Sequence, residues 1–334
     1  MDNKKRAGDS PRGMLRSMYP KPTRETGAYR SEPARRPGKN TLFRAGWKAI
    51  LAGCCLCWSA PGFAEGDAAS LMARYQSLTS QLKHNAFRRP LYLESMERPS
   101  MLKGDIYAVV DYPFDVVNNT LNDPARGPAN WCDVLILHLN TKYCHASTNG
   151  NGAILDVNIG RKVEQDLTDS YRVQFHYHAA AATPGYFHVD LDADSGPMST
   201  KDYRIVLDAV PVSGNRTFMH LTYSYGFGTV GRVAMKTYLA TIGHDKVGFT
   251  TVGRPASSAQ DEYIGGVRGL LERNTMRYYL AIDTYLGTLG KPVDQRFARW
   301  FDATEQYPRQ LHEVDRQDYL QMKAREYRRQ QTAQ

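Results

Sequence analysis

Between residues 134 and 252 the chain is written in strand-length segments, and the first long helix-length pattern after them runs from Ala259 to Leu289. LILHLNTKYCHA, AILDVNIGRKV, YRVQFHYHA, YFHVDLDA, DYRIVLDAV, TFMHLTYSYGF and KVGFTTV read as strands, parted by Asn-Gly, Pro-Gly, Ser-Gly and Gly-Asn turn signals. Val173, Phe175 and Tyr177 alternate with Arg172, Gln174, His176 and His178, the pattern of an antiparallel sheet with one wet face. In the helix, Ile264, Val267, Leu271, Asn274, Tyr278, Ile282, Tyr285 and Leu289 recur at steps of three and four, a stripe wide enough to cover a sheet. Sheet first and covering helix last predicts an α+β fold of about six to seven antiparallel strands. No repeat of solenoid period occurs.

The flanking segments add helices. Residues 67–86 place Leu71, Tyr75, Leu78 and Leu82 on one apolar face. Pro90 to Leu93 reads as a short strand. GDIYAVVDYPFDVV gives a strand over 105–112 and a helix opening at Pro113, with a second short helix around 128–132. GFGTVGRVAMKTYLA, over 226–240, is a Gly-rich turn followed by about two helical turns. Residues 292–331 read as two polar helices divided at Tyr307-Pro308. The expected division is a leader over 1–64, an N-terminal helix over 65–89, the main domain over 90–290 and a helical extension over 291–334.

The formal charge of +9 is confined to that leader. Residues 1–64 hold 13 Lys and Arg against 4 Asp and Glu, and the remainder carries 30 of each sign. The body therefore has no bulk electrostatic reason to bind nucleic acid or an anionic membrane. Lys48 precedes AILAGCCLCWSAPGFA, an apolar run too short to span a bilayer comfortably, ending in small residues at Gly62 and Ala64. This reads as a signal peptide cut after Ala64, and the protein as exported to a periplasm or outside the cell. Leu51-Ala52-Gly53-Cys54 also fits a lipidation site, but the run before Cys54 is very short and the residues after it stay hydrophobic, so cleavage after Ala64 is preferred. Cys54, Cys55 and Cys57 would leave with the signal. Cys132 and Cys144 remain as an even pair, expected to close a disulfide in an oxidising compartment.

GDIYAVVDYPFDVVNNTLNDP, the following Asn130-Trp131-Cys132 and the closing helix GGVRGLLERNTMRYYLAIDTYLG resemble the START-like helix-grip superfamily of polyketide-cyclase and lipid-transport type, over about residues 90–290. The resemblance implies a curved sheet gripping the long helix around an apolar cavity. That superfamily includes lipid carriers, hormone receptors, cyclases and hydrolases, so it implies a fold and a choice of functions.

Catalytic motifs are sparse: there is no phosphate loop, no GxSxG and no HExxH, and the GxGxxG spacing of GFGTVG over 226–231 lacks the Lys-Ser/Thr of a phosphate site. The glycines of SYGFGTVGR read as turn and bulge residues. His176, His178 and His188 could hold a metal, but the first two share the polar strand face with Arg172 and Gln174. His138 and His145 flank the cysteines without ligand spacing. Asp190, Asp192 and Asp194 read as solvating an edge strand. No cofactor and no metal are therefore expected.

Asn274 falls inside the apolar stripe of the closing helix and Arg277 on its flank. A buried Asn needs partners, since leaving them unmade costs roughly 1–3 kcal/mol. It either meets a ligand head group or bonds a strand carbonyl. Tyr278, Tyr285, Tyr223 and Tyr225 would line the same pocket. The leading expectation is a non-enzymatic binder of a lipid or other apolar small molecule. The alternatives are an interaction protein that docks a partner through 67–86 or 292–331, and a cyclase- or hydrolase-type enzyme using the same cavity.

Overall fold

The computed structural model describes residues 63–149, 152–179, 183–229, 231–233, 235, 237, 245–253 and 261–332. The basic leader, Cys54 and most of the apolar run lie outside the described residues, as does much of 230–244. The expected cleavage point after Ala64 falls in the first turn of helix α1 (Phe63–Ser77). A short α2 (Thr79–Lys83) follows.

Eight strands form one sheet: β1 (Leu91–Arg98), β2 (Met101–Val110), β3 (Thr141–Asn149), β4 (Gly152–Ile159), β5 (Tyr171–Ala179), β6 (Phe187–Gly196), β7 (Thr200–Val212) and β8 (Arg216–Phe227), in the order β1-β2-β8-β7-β6-β5-β4-β3. Every pairing is antiparallel. Helices α3 (Phe114–Leu121) and α4 (Gly127–Leu135) lie between β2 and β3. After β8 come a two-stranded ribbon, β9 (Thr251–Gly253) with β10 (Glu262–Tyr263), and the long helix α5 (Gly266–Leu286). Helices α6 (Val293–Thr304), α7 (Pro308–Leu311) and α8 (Arg316–Thr332) complete the described chain.

Period-two alternation sorts the sheet into two faces. The cross-strand pairs Gly104–Tyr223, Ile106–Leu221 and Ala108–Met219 turn toward α5 and belong to the main core. Their neighbours Tyr107, Val109 and Phe218 point the other way, where Leu71, Leu78 and Leu82 of the N-terminal helices cover them. The arrangement is a helix grip, with the long helix seated on the inner face of an antiparallel sheet. Gly104 sets how close that seat is, because a Cβ there would come within 2.4 Å of Thr275 Oγ1.

Four expectations are corrected. Leu135 to Leu139 is not strand: α4 runs to Leu135 and a turn leads to Thr141, and a short run buried all round carries no period that tells strand from helix. KVGFTTV contributes only Thr251 and Val252 to a strand outside the main sheet. The long helix begins at Gly266 rather than Ala259, because Gly266 takes a left-handed φ of 63° and Glu262–Tyr263 pairs with β9. Strand β6 is interior, between β5 and β7, so its aspartates solvate a sheet face and not an edge.

The residues that carried the family resemblance hold the sheet's far end together. Asn130 donates from Nδ2 to Thr120 O at 2.7 Å, and Trp131 Nε1 donates to Leu121 O at 3.0 Å. Cys132 forms a disulfide with Cys144 of β3, with Cα atoms 5.2 Å apart, tying α4 to the sheet.

Candidate functional site: the interface of the long helix and the sheet

Three- and four-residue spacing puts Val267, Leu270, Asn274, Tyr278 and Tyr285 on one side of α5. Opposite that side lies a row of tyrosines. Tyr278 meets Tyr223 of β8 at 5.0 Å between ring centroids, Tyr223 meets Tyr225 at 5.6 Å, and Tyr225 lies against Tyr203 of β7 at 5.2 Å. The alternation of β8 brings Tyr223 and Tyr225 to the same face. Burial raises the phenol pKa of Tyr223, Tyr225 and Tyr278 well above the ordinary value, so the rings stay neutral. The interface nonetheless keeps some accessible surface: Tyr278 is 9 % exposed and Tyr203 7 %, and Asn274 is half-buried.

At one end of the row His138 stacks on Tyr278, with centroids 4.9 Å apart. The Asn140 N–H donates to His138 Nδ1 at 3.2 Å, which assigns the proton to Nε2. Nε2 is buried and finds no acceptor among the described residues. Burial, then the charges of Arg277 and Lys323, push the ring's pKa well below its ordinary value, so His138 is a neutral donor facing a tyrosine. At the other end a groove of about 530 Å³ opens over Phe227, Met235 and Val267, between the β1–β2 turn and the first turn of α5. Tyr225 OH reaches Met235 Sδ at 3.9 Å, so the groove meets the tyrosine row.

The expected site residues fall into two groups. Tyr223, Tyr225 and Tyr278 come together, with Asn274 one helical turn from Tyr278. Arg277 and Tyr285 serve other contacts. Arg277, expected on the flank, is fully buried: it donates to Leu311 O at 3.2 Å, to Glu313 at 2.9 Å and to Asn274 Oδ1 at 3.3 Å. Asn274, expected to be the buried polar group of the stripe, is the more accessible of the two. Tyr285 donates to Asn130 Oδ1 at 2.8 Å and lies under Arg296, and burial with the nearby Asp133 pushes its pKa up to about 12.

Sequence reasoning weighed His138, within the apolar run LILHL, only as a metal ligand, and passed over Tyr203, which a count of alternation through Ile205 and Leu207 places on the inner face.

On the outer face strand register assembles a second polar row. His188 of β6, Asp208 of β7, His220 of β8 and Tyr107 of β2 stand opposite one another in turn. His188 Nδ1 lies 2.8 Å from Asp208 Oδ1, and Tyr186 OH donates to the same oxygen at 2.6 Å. His220 Nε2 lies 2.8 Å from Asp105 Oδ1, and its ring stacks on Tyr107 at 4.2 Å. Residues of α1, among them Asp67 and Arg74, close a pocket of about 380 Å³ over this row. His176 and His178 are exposed, and His188 is engaged by Asp208. Among the described residues no group of three or more His, Cys, Asp or Glu is placed to hold a metal ion.

The added segments spend their apolar faces on the domain itself. Phe297, Trp300 and Phe301 of α6 and Tyr319 and Met322 of α8 lie in the main core. Lys142 of β3, fully buried, bonds Glu326 of α8 at 3.0 Å and fastens α8 beneath β3, while the equally buried Lys323 bonds the same carboxylate from within α8 at 2.7 Å. No helix among the described residues is long and apolar enough to cross a membrane.

No family model matches the sequence, and no curated protein matches it. Among solved structures, human StAR-related lipid transfer protein 5 is similar at 8% identity and a TM-score of 0.34, covering 68% of this chain and 100% of that one. A truncated norcoclaurine synthase from Thalictrum flavum is similar at 16% identity and a TM-score of 0.29, over 45% of this chain and 90% of that one. An aromatase/cyclase from a Streptomyces species shows 12% identity and a TM-score of 0.29, over 43% and 86%. The helix-grip assignment rests on the strand order and on α5 seated against the sheet, both displayed by the chain itself.

Proposed function

We propose that the chain is an exported helix-grip protein that binds a lipid or other apolar small molecule between α5 and the sheet, without catalysing a reaction on it. One observation carries this reading: an apolar-floored groove opens directly onto the tyrosine row under the long helix. An interface of neutral aromatic rings with few polar groups suits a ligand with an apolar body. The unpartnered Nε2–H of His138 offers such a ligand one hydrogen-bond donor at the inner end, which relieves a buried donor otherwise costing roughly 1–3 kcal/mol. Export is supported by the basic leader and apolar run before Ala64 and by the disulfide between Cys132 and Cys144.

Partner docking through 67–86 or 292–331 is the weaker reading, because the apolar faces of those helices are already buried on the sheet and on α5. A cyclase- or hydrolase-type reading would draw on His138 as an interior acid or base. Its ring, however, has one nitrogen engaged by a backbone donor and is held neutral among cations.

The test is Asn274→Trp, which adds bulk at a half-buried position on the inner side of α5. Thermal stability and uptake of a fluorescent fatty acid or sterol analogue are measured on the same protein. The expected outcome is a folded variant that has lost uptake by the wild type. A wild type that takes up no probe, with a variant destabilised by the roughly 1–3 kcal/mol of overpacking, would mean the interface is filled by its own side chains.

A further inference from the structure

The mouth of the groove is unlike its floor. Phe227, Met235 and Val267 form an apolar base, while Arg98, Arg232 and Arg268 stand around it with Glu97 as the acidic member. None of these three guanidiniums has a carboxylate within ion-pair distance among the described residues, whereas Arg74, Arg172 and Arg204 on the outer face each pair with one.

Two of the three are held in place by neutral oxygens. Arg268 donates from Nη2 to Ser95 O at 3.1 Å and from Nε to Ser95 Oγ at 3.1 Å. That same Ser95 hydroxyl donates to the buried Glu272 at 2.5 Å, so Arg268 rests on a fixed support. Arg232 donates to the Pro99 carbonyl and lies over the Phe227 ring, 5.7 Å from its centroid. A guanidinium carries five N–H donors in a rigid fork. Neutral carbonyl and hydroxyl contacts therefore position these groups without neutralising them.

The geometry points to a head-group site: the groove takes the anionic end of an amphiphile, a carboxylate or phosphate, while its apolar chain passes over Met235 toward Tyr225 and the tyrosine row. This rests on the proposed interior-binding reading and narrows its ligand to an acidic amphiphile. Charge-assisted hydrogen bonds from a guanidinium fork suit carboxylate and phosphate oxygens, which a neutral alcohol cannot match. The apolar floor separates this ligand from a free inorganic anion, which would gain nothing from Phe227, Met235 and Val267.

The experiment titrates the processed chain with dodecanoate, dodecyl phosphate, dodecanol, acetate and inorganic phosphate, reading displacement of a fluorescent fatty-acid probe. Dodecanoate and dodecyl phosphate are expected to bind at least about ten-fold tighter than dodecanol, with no displacement by acetate or inorganic phosphate; ten-fold corresponds to about 1.4 kcal/mol. In the triple variant Arg98→Gln, Arg232→Gln, Arg268→Gln the ratio of acid to alcohol affinity should fall to near one. Arg98→Gln alone, at the exposed end of β1, should lower the ratio part of the way and guards against misfolding of the triple variant. Equal binding of acid and alcohol by the wild type, or an unchanged ratio in the variants, overturns the head-group site while leaving interior binding standing. Displacement by inorganic phosphate as strong as by dodecyl phosphate reassigns the groove to a free anion and overturns the amphiphile. Failure of every twelve-carbon compound to bind overturns the interior reading itself, and the head-group site with it.

Discussion

At Glu313, between α7 and α8, one carboxylate is shared by Lys162 at 2.5 Å, Arg277 at 2.9 Å and Lys246 at 3.4 Å. Burial alone would raise its pKa, but Lys162 and Arg277 outweigh burial and hold it at about 2. The same crowding works in reverse on Lys162, which burial and Arg277 lower to about 7. Glu313→Gln should therefore cost about 3–5 kcal/mol, the range for removing one partner from a buried ion pair. A depressed carboxylate stabilises fully above its unfolded value of about 4.5, and that contribution is lost as pH falls toward 2. Acid titration of stability should show this step in the wild type and not in Glu313→Gln; a variant as stable as the wild type at neutral pH would contradict the assignment. Little of this was readable beforehand. Arg277 was visible as a flank residue of the helix, but Lys162, Lys246 and Glu313 are brought to it only by tertiary structure.

Among the elements, strand β5 was the most legible, because its alternation has a period of two and one face is wet. The outer row of His188, Asp208 and His220 was not legible, since it depends on the register of three strands and no single strand displays it. That row also seats α1, whose Asp67 and Arg74 face it. The hydrogen bond that His188 donates to Asp208 is the main cause that raises the His188 pKa above its ordinary 6.5. A raised histidine stabilises fully below its unfolded value, and that contribution is lost as pH rises through the folded one. Melting temperatures of wild type and His188→Gln, compared from pH 5 to pH 9, should differ most at the acid end and converge at the alkaline end. A difference that stays constant over that range would show that the pair does not titrate as described.

For the whole molecule, the main departure from the sequence reading concerns the C-terminal helices. Read as an extension beyond a complete domain, they prove to be part of its core, with Trp300 and Tyr319 buried and Lys323 bonded to His138 O at 2.7 Å and Thr141 O at 2.8 Å. The sequence disguised this because α8 is polar almost all round, and its buried Lys and Glu pair with partners on β3. A chain ending at Gly290 should fail to unfold cooperatively in a circular-dichroism melt, whereas cooperative melting close to that of the full chain would restore the view of a detachable arm. The order of sheet and covering helix, by contrast, was plain from the strand run and the stripe on α5. What the stripe could not reveal is whether its inner side meets open space or other side chains. Native mass spectrometry of the processed protein purified from its own cells tests that most directly, run beside Asn274→Trp. The account predicts a copurifying mass of lipid size on the wild type and none on the variant; a clean ligand-free mass for both would contradict it.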